Sequence, residues 1–210
     1  MLEKVIFDEE PLDKETYKAE HEELLKELPA LQFEAHNRGI GVVVLFEGWN
    51  GAGNGSRISD LMYNLDARST SVYLTPDLDV EAALDFVGNK HDVTGFYPMM
   101  QQFWKALGPR GNMTFFDRGW YYSSAQHLMF NEFGDFMSPD LQQALSKSDL
   151  EALEAHKEHM IKGLKEASVM KDSPLTQCLE SAEVFERQLV DAGYVVIKFF
   201  VHVRKKAQKA

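Results

Sequence analysis

The chain has 210 residues, 44% of them hydrophobic and 11% aromatic, which suffices for one buried core of domain size and excludes a largely disordered chain. Its 22 lysines and arginines against 33 aspartates and glutamates give a formal net charge of −11, which repels nucleic acid and anionic membranes at long range and argues against both as partners. A single cysteine, Cys178, excludes an internal disulfide framework, the acidic start has no apolar leader core, and no apolar run approaches the ~18 residues of a spanning helix, so a cytoplasmic protein is expected.

In chain order, Asp13 to about Gly39 predicts a helix, with Asp13 as N-cap and Tyr17, Leu24, Leu25, Leu28 and Leu31 on one stripe that packs on the sheet or on a partner. Pro29 predicts a break or kink in it, because proline removes a helical N–H and clashes with the preceding turn. Val42 to Phe46 is a continuous apolar run between glycines, as expected of a strand covered on both faces. A glycine-rich turn, a helix from about Ser56 to Leu65 and a weaker strand at Ser71 to Leu74 complete a βαβ unit. Helices are expected near Val80 to Val87 and Pro98 to Leu107, then a strand at Met113 to Phe116 ending in Asp117. A mostly helical stretch from Tyr121 to Asp191 leads to a further buried strand, Tyr194 to Val201. Such alternation predicts a parallel sheet between helices, whose ligands sit beyond the C-terminal strand ends. That is where Gly48 to Ser56 and Asp117 fall.

The segment Gly48-Trp49-Asn50-Gly51-Ala52-Gly53-Asn54-Gly55-Ser56 has the strand-turn-helix setting of a Walker A loop, G-x-x-x-x-G-K-[ST], but reads G-x-x-x-x-G-N-G. Glycines let successive backbone N–H groups and the positive end of the next helix converge on one anion, so Gly48, Gly51, Ala52, Gly53, Asn54, Gly55 and Ser56 are the candidate phosphate-binding positions. Asn54 stands where the lysine would neutralise a transferring phosphate and offers only a neutral amide. Losing one preorganised charge at a reacting group costs a few kcal/mol of barrier, roughly a hundredfold to a thousandfold in rate. A plain glycine turn feeding a helix is the alternative reading of this loop taken alone.

The second motif is Phe115-Phe116-Asp117-Arg118-Gly119-Trp120-Tyr121, a hydrophobic strand that delivers an acid to the sheet edge as a Walker B segment does. Asp117 there can hold Mg²⁺, chiefly through water, and Arg118 can pair with phosphate oxygens bidentately. Taken alone, an Asp N-cap beside a surface arginine is the plainer reading; after a glycine loop on a buried strand the catalytic one is favoured.

Together these motifs resemble those of the polyphosphate kinase 2 family, whose loop is similar to G-x-D-x-A-G-K-G and whose second motif is similar to D-R-S-W-Y. The likeness extends to Phe46-Glu47-Gly48-Trp49, Leu65-Asp66-Ala67-Arg68, Phe103-Trp104-Lys105-Ala106-Leu107, Phe185-Glu186-Arg187-Gln188-Leu189 and Lys198-Phe199-Phe200-Val201-His202-Val203. The resemblance implies a thymidylate-kinase-like P-loop fold, a three-layer α/β/α parallel sheet with a helical lid at residues 122–171, preceded by a helical extension over 1–39. It also implies Mg²⁺, inorganic polyphosphate and an AMP or ADP acceptor, with Arg68 and Arg118 among the phosphate-binding residues. Two departures stand out: Asn50 and Asn54 occupy the positions of the family's catalytic aspartate and lysine.

The family domain continues beyond a strand like Tyr194 to Val201, so the resemblance implies the N-terminal, degenerate copy of a two-domain polyphosphate:AMP phosphotransferase, spanning residues 40–210 without the C-terminal end. An impaired domain serving as structural or regulatory partner of an active copy, in a second domain or a homo-oligomer, is the leading expectation. The rivals are an active polyphosphate:nucleotide phosphotransferase and a conventional nucleoside monophosphate kinase, since Tyr121-Tyr122-Ser123-Ser124 also resembles the segment after D-R in thymidylate kinases.

Arg57, Lys105 and Arg110 are further candidates for a polyphosphate channel, weighed against solvated surface cations. His156 and His159 share a helix face, but two ligands do not make a metal site, and a solvated lid helix is the simpler reading. Met99, Met100, Phe103, Trp104 and Leu107 make a stripe of helical spacing, read as packing.

Overall fold

The computed structural model describes residues 13–49, 51–76, 100–132, 162 and 174–203. Four strands, β1 (Gly41–Gly48), β2 (Thr70–Leu74), β3 (Met113–Asp117) and β4 (Tyr194–Val201), form one sheet in the order β2-β3-β1-β4. Every neighbouring pair is parallel, with Val44 opposite Phe115 and Ile197. The helices are α1 (Lys14–Asn37), α2 (Asn54–Met62), α3 (Gln101–Ala106), α4 (Trp120–Glu132) and α5 (Pro174–Asp191). This is the predicted α/β architecture, with β1 at the centre and its C-terminal end feeding the glycine loop.

Successive residues of a strand point to opposite faces, and the run Val42 to Phe46 divides accordingly. Val43 and Leu45 join Phe103, Phe116, Trp120, Phe185 and Leu189 in one buried cluster. Val42, Val44 and Phe46 join Ile58, Met113 and Phe115 in the other. Each buried side chain of this size contributes about 1.5–3 kcal/mol relative to exposure, so the strands carrying the loop and Asp117 rest on the most strongly held part of the sheet.

Three expectations are corrected. Helix α1 is continuous through Pro29, so the proline does not break it, and tertiary contacts hold the turns on both sides. Before the proline, His21 Nε2 meets Asp60 at 2.9 Å; after it, the Gln32 amide bonds the 66–70 turn, accepting from the Asp66 N–H at 2.8 Å and reaching Thr70 Oγ1 at 2.7 Å. The stripe is covered only in part within this chain: Leu25 and Leu28 are half-buried, Tyr17, Leu24 and Leu31 are 44%, 66% and 60% exposed, and polar Gln32 is the buried residue of α1. A buried amide with all its bonds made is inexpensive, so polarity did not predict exposure there. Finally, β4 is not covered on both faces: Val195, Ile197 and Phe199 stay about half exposed, because β4 borders the described sheet.

Helix α3 begins near the predicted stripe and buries Phe103, with Met100 and Leu107 against the same cluster, whereas Trp104 is partly exposed. Met99, the helix expected at Val80 to Val87, His156, His159 and most of the 122–171 lid lie outside the described residues.

Candidate functional site: the glycine loop and the Asp117-Arg118 turn

Beyond the C-terminal ends of β1, β2 and β3 lies a cavity of about 460 Å³ lined by Gly48, Trp49, Gly51, Ala52, Gly53, Asn54, Gly55, Ser56, Leu74, Thr75, Pro76, Asp117 and Arg118. Nine of the positions singled out in the sequence therefore share one wall. Gly53 takes the left-handed conformation, φ 91°, and serves as N-cap of α2 with no side chain to bond the first turn. Glycine is the residue that holds that conformation at least cost, and no side chain caps the nine-residue helix α2, the arrangement that suits an anion at a helix N-terminus. Asn54 is the first residue of α2. Its Oδ1 is buried and has no hydrogen-bond partner. An acceptor thus sits where a cation would have been, which makes the departure from the Walker pattern a matter of charge and of polarity together.

Asp117 closes β3 beside the loop, with Oδ2 3.8 Å from the place a Cβ on Gly55 would take. Arg118 follows with φ 61°, the left-handed region that costs a non-glycine residue roughly 1–2 kcal/mol. The conformation persists because its backbone is held on both sides. Its N–H donates to the Phe46 carbonyl at 2.9 Å, and its carbonyl accepts from Thr75 Oγ1 at 2.6 Å. Thr75 also donates its N–H to the Asp117 carbonyl at 3.1 Å. The guanidinium lies over the Tyr122 ring at 4.6 Å and donates from Nη1 to the Tyr122 hydroxyl at 2.9 Å. Cation–π contacts of this kind add about 0.5–1 kcal/mol where water has access.

Glu47, at the end of β1, reaches across the same turn. Its Oε1 accepts from the backbone N–H groups of Gly119 at 3.1 Å and Tyr122 at 3.2 Å, the first turn of α4. Burial pushes the Glu47 carboxyl above its usual range; these N–H bonds and the charge of Arg118 pull the other way without cancelling it.

Arg68 does not reach this cavity. It lines a separate hollow with Phe33, His36 and Asp66, and its guanidinium turns back on Asp66, Nη2 to Oδ2 at 2.5 Å, holding that carboxyl down to about 2. A salt bridge two residues away satisfied the arginine locally. Arg57 instead donates to Tyr17 on α1 at 3.2 Å, and Arg110 donates to the Gly39 carbonyl at 3.0 Å, just before the N-terminal end of β1. Lys105 lies on α3 and does not line the cavity either. Of the arginines and lysines proposed from the sequence, Arg118 alone lines it. Asn50 lies outside the described residues.

Thr75 went unnoticed in the sequence, and Glu47 and Tyr122, though they stand in motifs quoted above, received no role there. Thr75 and Pro76 follow β2 immediately, so the rule that ligands lie beyond C-terminal strand ends pointed to them. Glu47 and Tyr122 act through contacts between segments 75 residues apart, for which one sequence carries no signal.

The polyphosphate kinase 2 (PPK2) family model matches residues 11–165. The chain is similar to the Polyphosphate:AMP phosphotransferase of Pseudomonas aeruginosa, 27% identical over 202 residues, the match covering 94% of this chain and 30% of that protein. It is also similar to NDP-polyphosphate phosphotransferase 2 of Ruegeria pomeroyi, 30% identical over 146 residues, covering 66% of this chain and 39% of that one. The chain thus spans only 30% of the length of the polyphosphate:AMP phosphotransferases it matches. Among solved structures, Polyphosphate Kinase 2 from Arthrobacter aurescens shares the fold, with a TM-score of 0.64 over 100% of this chain and 60% of that one at 16% identity.

Proposed function

This chain belongs to the polyphosphate kinase 2 family, and from that premise we propose that its cavity binds the phosphates of polyphosphate, AMP or ADP without transferring phosphoryl groups at an enzyme's rate. The domain then serves as structural or regulatory partner of an active copy, either a second domain or another subunit. Residues 1–39 act as a helical extension to the binding domain, and residues 122–171 as its lid.

One observation carries the reading: Asn54, a neutral amide whose Oδ1 is buried and unpartnered, heads α2 where phosphoryl transfer needs a cation. The anion donors of the loop survive, so binding outlasts catalysis. Asn50 adds to the deficit by replacing an acid with an amide. For Mg²⁺ the donor set fits a weak site: Asp117 supplies one carboxylate and Ser56 a hydroxyl on the cavity wall, and the absence of a side chain at Gly55 leaves room beside Asp117. Mg²⁺ is commonly held by one or two carboxylates, with phosphates and water completing its shell. When bound, it screens the phosphate charge; Arg118 and the α2 N–H groups orient the phosphate.

The test is an assay of the isolated chain with polyphosphate, Mg²⁺ and AMP or ADP. Negligible turnover is expected, and turnover at an ordinary enzymatic rate would sink the proposal. Introducing Asn50→Asp and Asn54→Lys together is expected to raise activity above that baseline. The Asp117-Arg118 pair on the cavity wall favours a second reading, a slow polyphosphate-dependent kinase or a conventional nucleoside monophosphate kinase. Comparing polyphosphate with ATP as donor separates those two.

A further inference from the structure

The left-handed backbone of Arg118 is pinned on its N-terminal side by Phe46 and at its carbonyl by Thr75. What fixes the chain immediately after it is Glu47. Gly119 precedes α4 and has no side chain with which to cap that helix; a Cβ there would run into the Leu45 side chain. The task falls to the Glu47 carboxylate, which reaches from β1 to the N–H groups of Gly119 and Tyr122. Tyr122 is also the residue on whose ring and hydroxyl the Arg118 guanidinium rests. A single carboxylate oxygen therefore ties down both the peptide that follows Arg118 and the backbone of the residue whose side chain aims it.

We propose that Glu47 is the positioning residue of the anion site: it caps α4 from β1 and thereby fixes the Arg118-Tyr122 pair in the cavity wall. The proposal rests on the reading of the cavity as a phosphate site. Glu47 is not itself a cavity-lining residue, so its effect on a ligand passes through Arg118. Side chains left loose by a missing cap lose orientation, and misplacement of about 1 Å at such a site can cost up to a hundredfold.

The experiment uses the 210-residue chain and tripolyphosphate, with affinity measured by calorimetry at low salt. Glu47→Ala is expected to weaken binding about tenfold, and Glu47→Gln, whose amide oxygen still accepts the two N–H bonds, to restore it to within about threefold. In an Arg118→Ala background the Glu47→Ala change is expected to cost nothing further, because the group it positions is gone. Unaltered affinity in Glu47→Ala, or the same loss with and without Arg118, overturns the proposal. A second readout needs no ligand: the Arg118 Nε–Hε and Tyr122 ring resonances shift in Glu47→Ala and hold in Glu47→Gln. If they do not move, Glu47 positions nothing, whatever binds. A parent chain that binds no tripolyphosphate while those resonances do move overturns the phosphate reading alone. Glu47→Met, which keeps the volume and removes the acceptor, replaces Glu47→Ala if that variant fails to fold.

Discussion

Lys198 on β4 meets Glu186 on α5 with Nζ 2.8 Å from Oε2, and the same carboxylate accepts from Trp120 Nε1 at 3.0 Å and the Tyr121 hydroxyl at 2.8 Å. Residues from three of the motifs that carry the family resemblance, Trp120 and Tyr121, Glu186, and Lys198, therefore converge on one structural carboxylate, and none of these four lines the cavity. Replacing Glu186 by Ala leaves the Trp120 donor, on a fully buried side chain, without a partner. A loss of about 1–3 kcal/mol in urea unfolding is expected, with no direct change in anion affinity.

The same network sets a limit at high pH. Burial works to lower the Lys198 pKa, but hydrogen bonds and charge from Glu186 and Tyr121 outweigh it and hold the ammonium above its usual range. A group raised on folding stabilises fully below its unfolded value and loses that contribution as pH rises through the folded one. Thermal unfolding should therefore show the parent losing stability relative to Lys198→Met above the ordinary lysine pKa, about 10.4.

Arg118 predicts an unusual ranking of substitutions. At φ 61° alanine bears the left-handed penalty and glycine does not, so Arg118→Gly is expected to be more stable than Arg118→Ala by about 1 kcal/mol in denaturant titration. Both should lose tripolyphosphate affinity alike, since neither carries the guanidinium. Equal stabilities would mean that the chain relaxes out of the observed turn.

The Glu47 carboxyl is shifted in the opposite direction to that of Asp66. Its pKa is raised by burial, with Arg118 the charged group facing it, so the protonated form is favoured on folding. Its stabilising contribution is full below the unfolded glutamate value and is lost as pH rises through the folded one. The stability of Glu47→Gln relative to the parent should accordingly improve as pH is raised from about 4 to neutrality. A constant difference across that range would contradict the buried acid.

For Asn54 the prediction concerns binding. Asn54→Lys replaces an unpartnered acceptor by an ammonium at the head of α2, and tripolyphosphate should bind about tenfold more tightly at low salt. The gain should shrink as salt rises, because mobile ions screen the attraction between an ammonium and a polyanion. Isothermal titration at two ionic strengths checks both.

The glycine loop, the acid at the end of β3 and the alternation of strand and helix were legible because each is a local property. Glycine at a positive φ, an apolar strand and a following helix are set by sterics and periodicity within a few residues, and the order of strands along the chain follows. Which cation faces the cavity is not local. Arg68 and Arg118 are equally prominent in sequence, but Arg68 is taken by Asp66 two residues away, while Arg118 is turned inward by Phe46, Thr75 and Tyr122. The exposure of β4 likewise depends on its place at the border of the sheet, not on its apolar run.

The sequence by itself determined that a glycine loop runs from a buried strand into a helix and that asparagine stands where the Walker pattern has lysine, since residue identity at Asn54 needs no coordinates. Only the tertiary structure decided how the remaining charge is aimed. That outcome rests on Glu47 and Thr75, brought to the Arg118 turn from β1 and from the end of β2. Hydrogen bonds between distant segments depend on strand order and register, which arise from burial of the whole sheet rather than from any short stretch of chain.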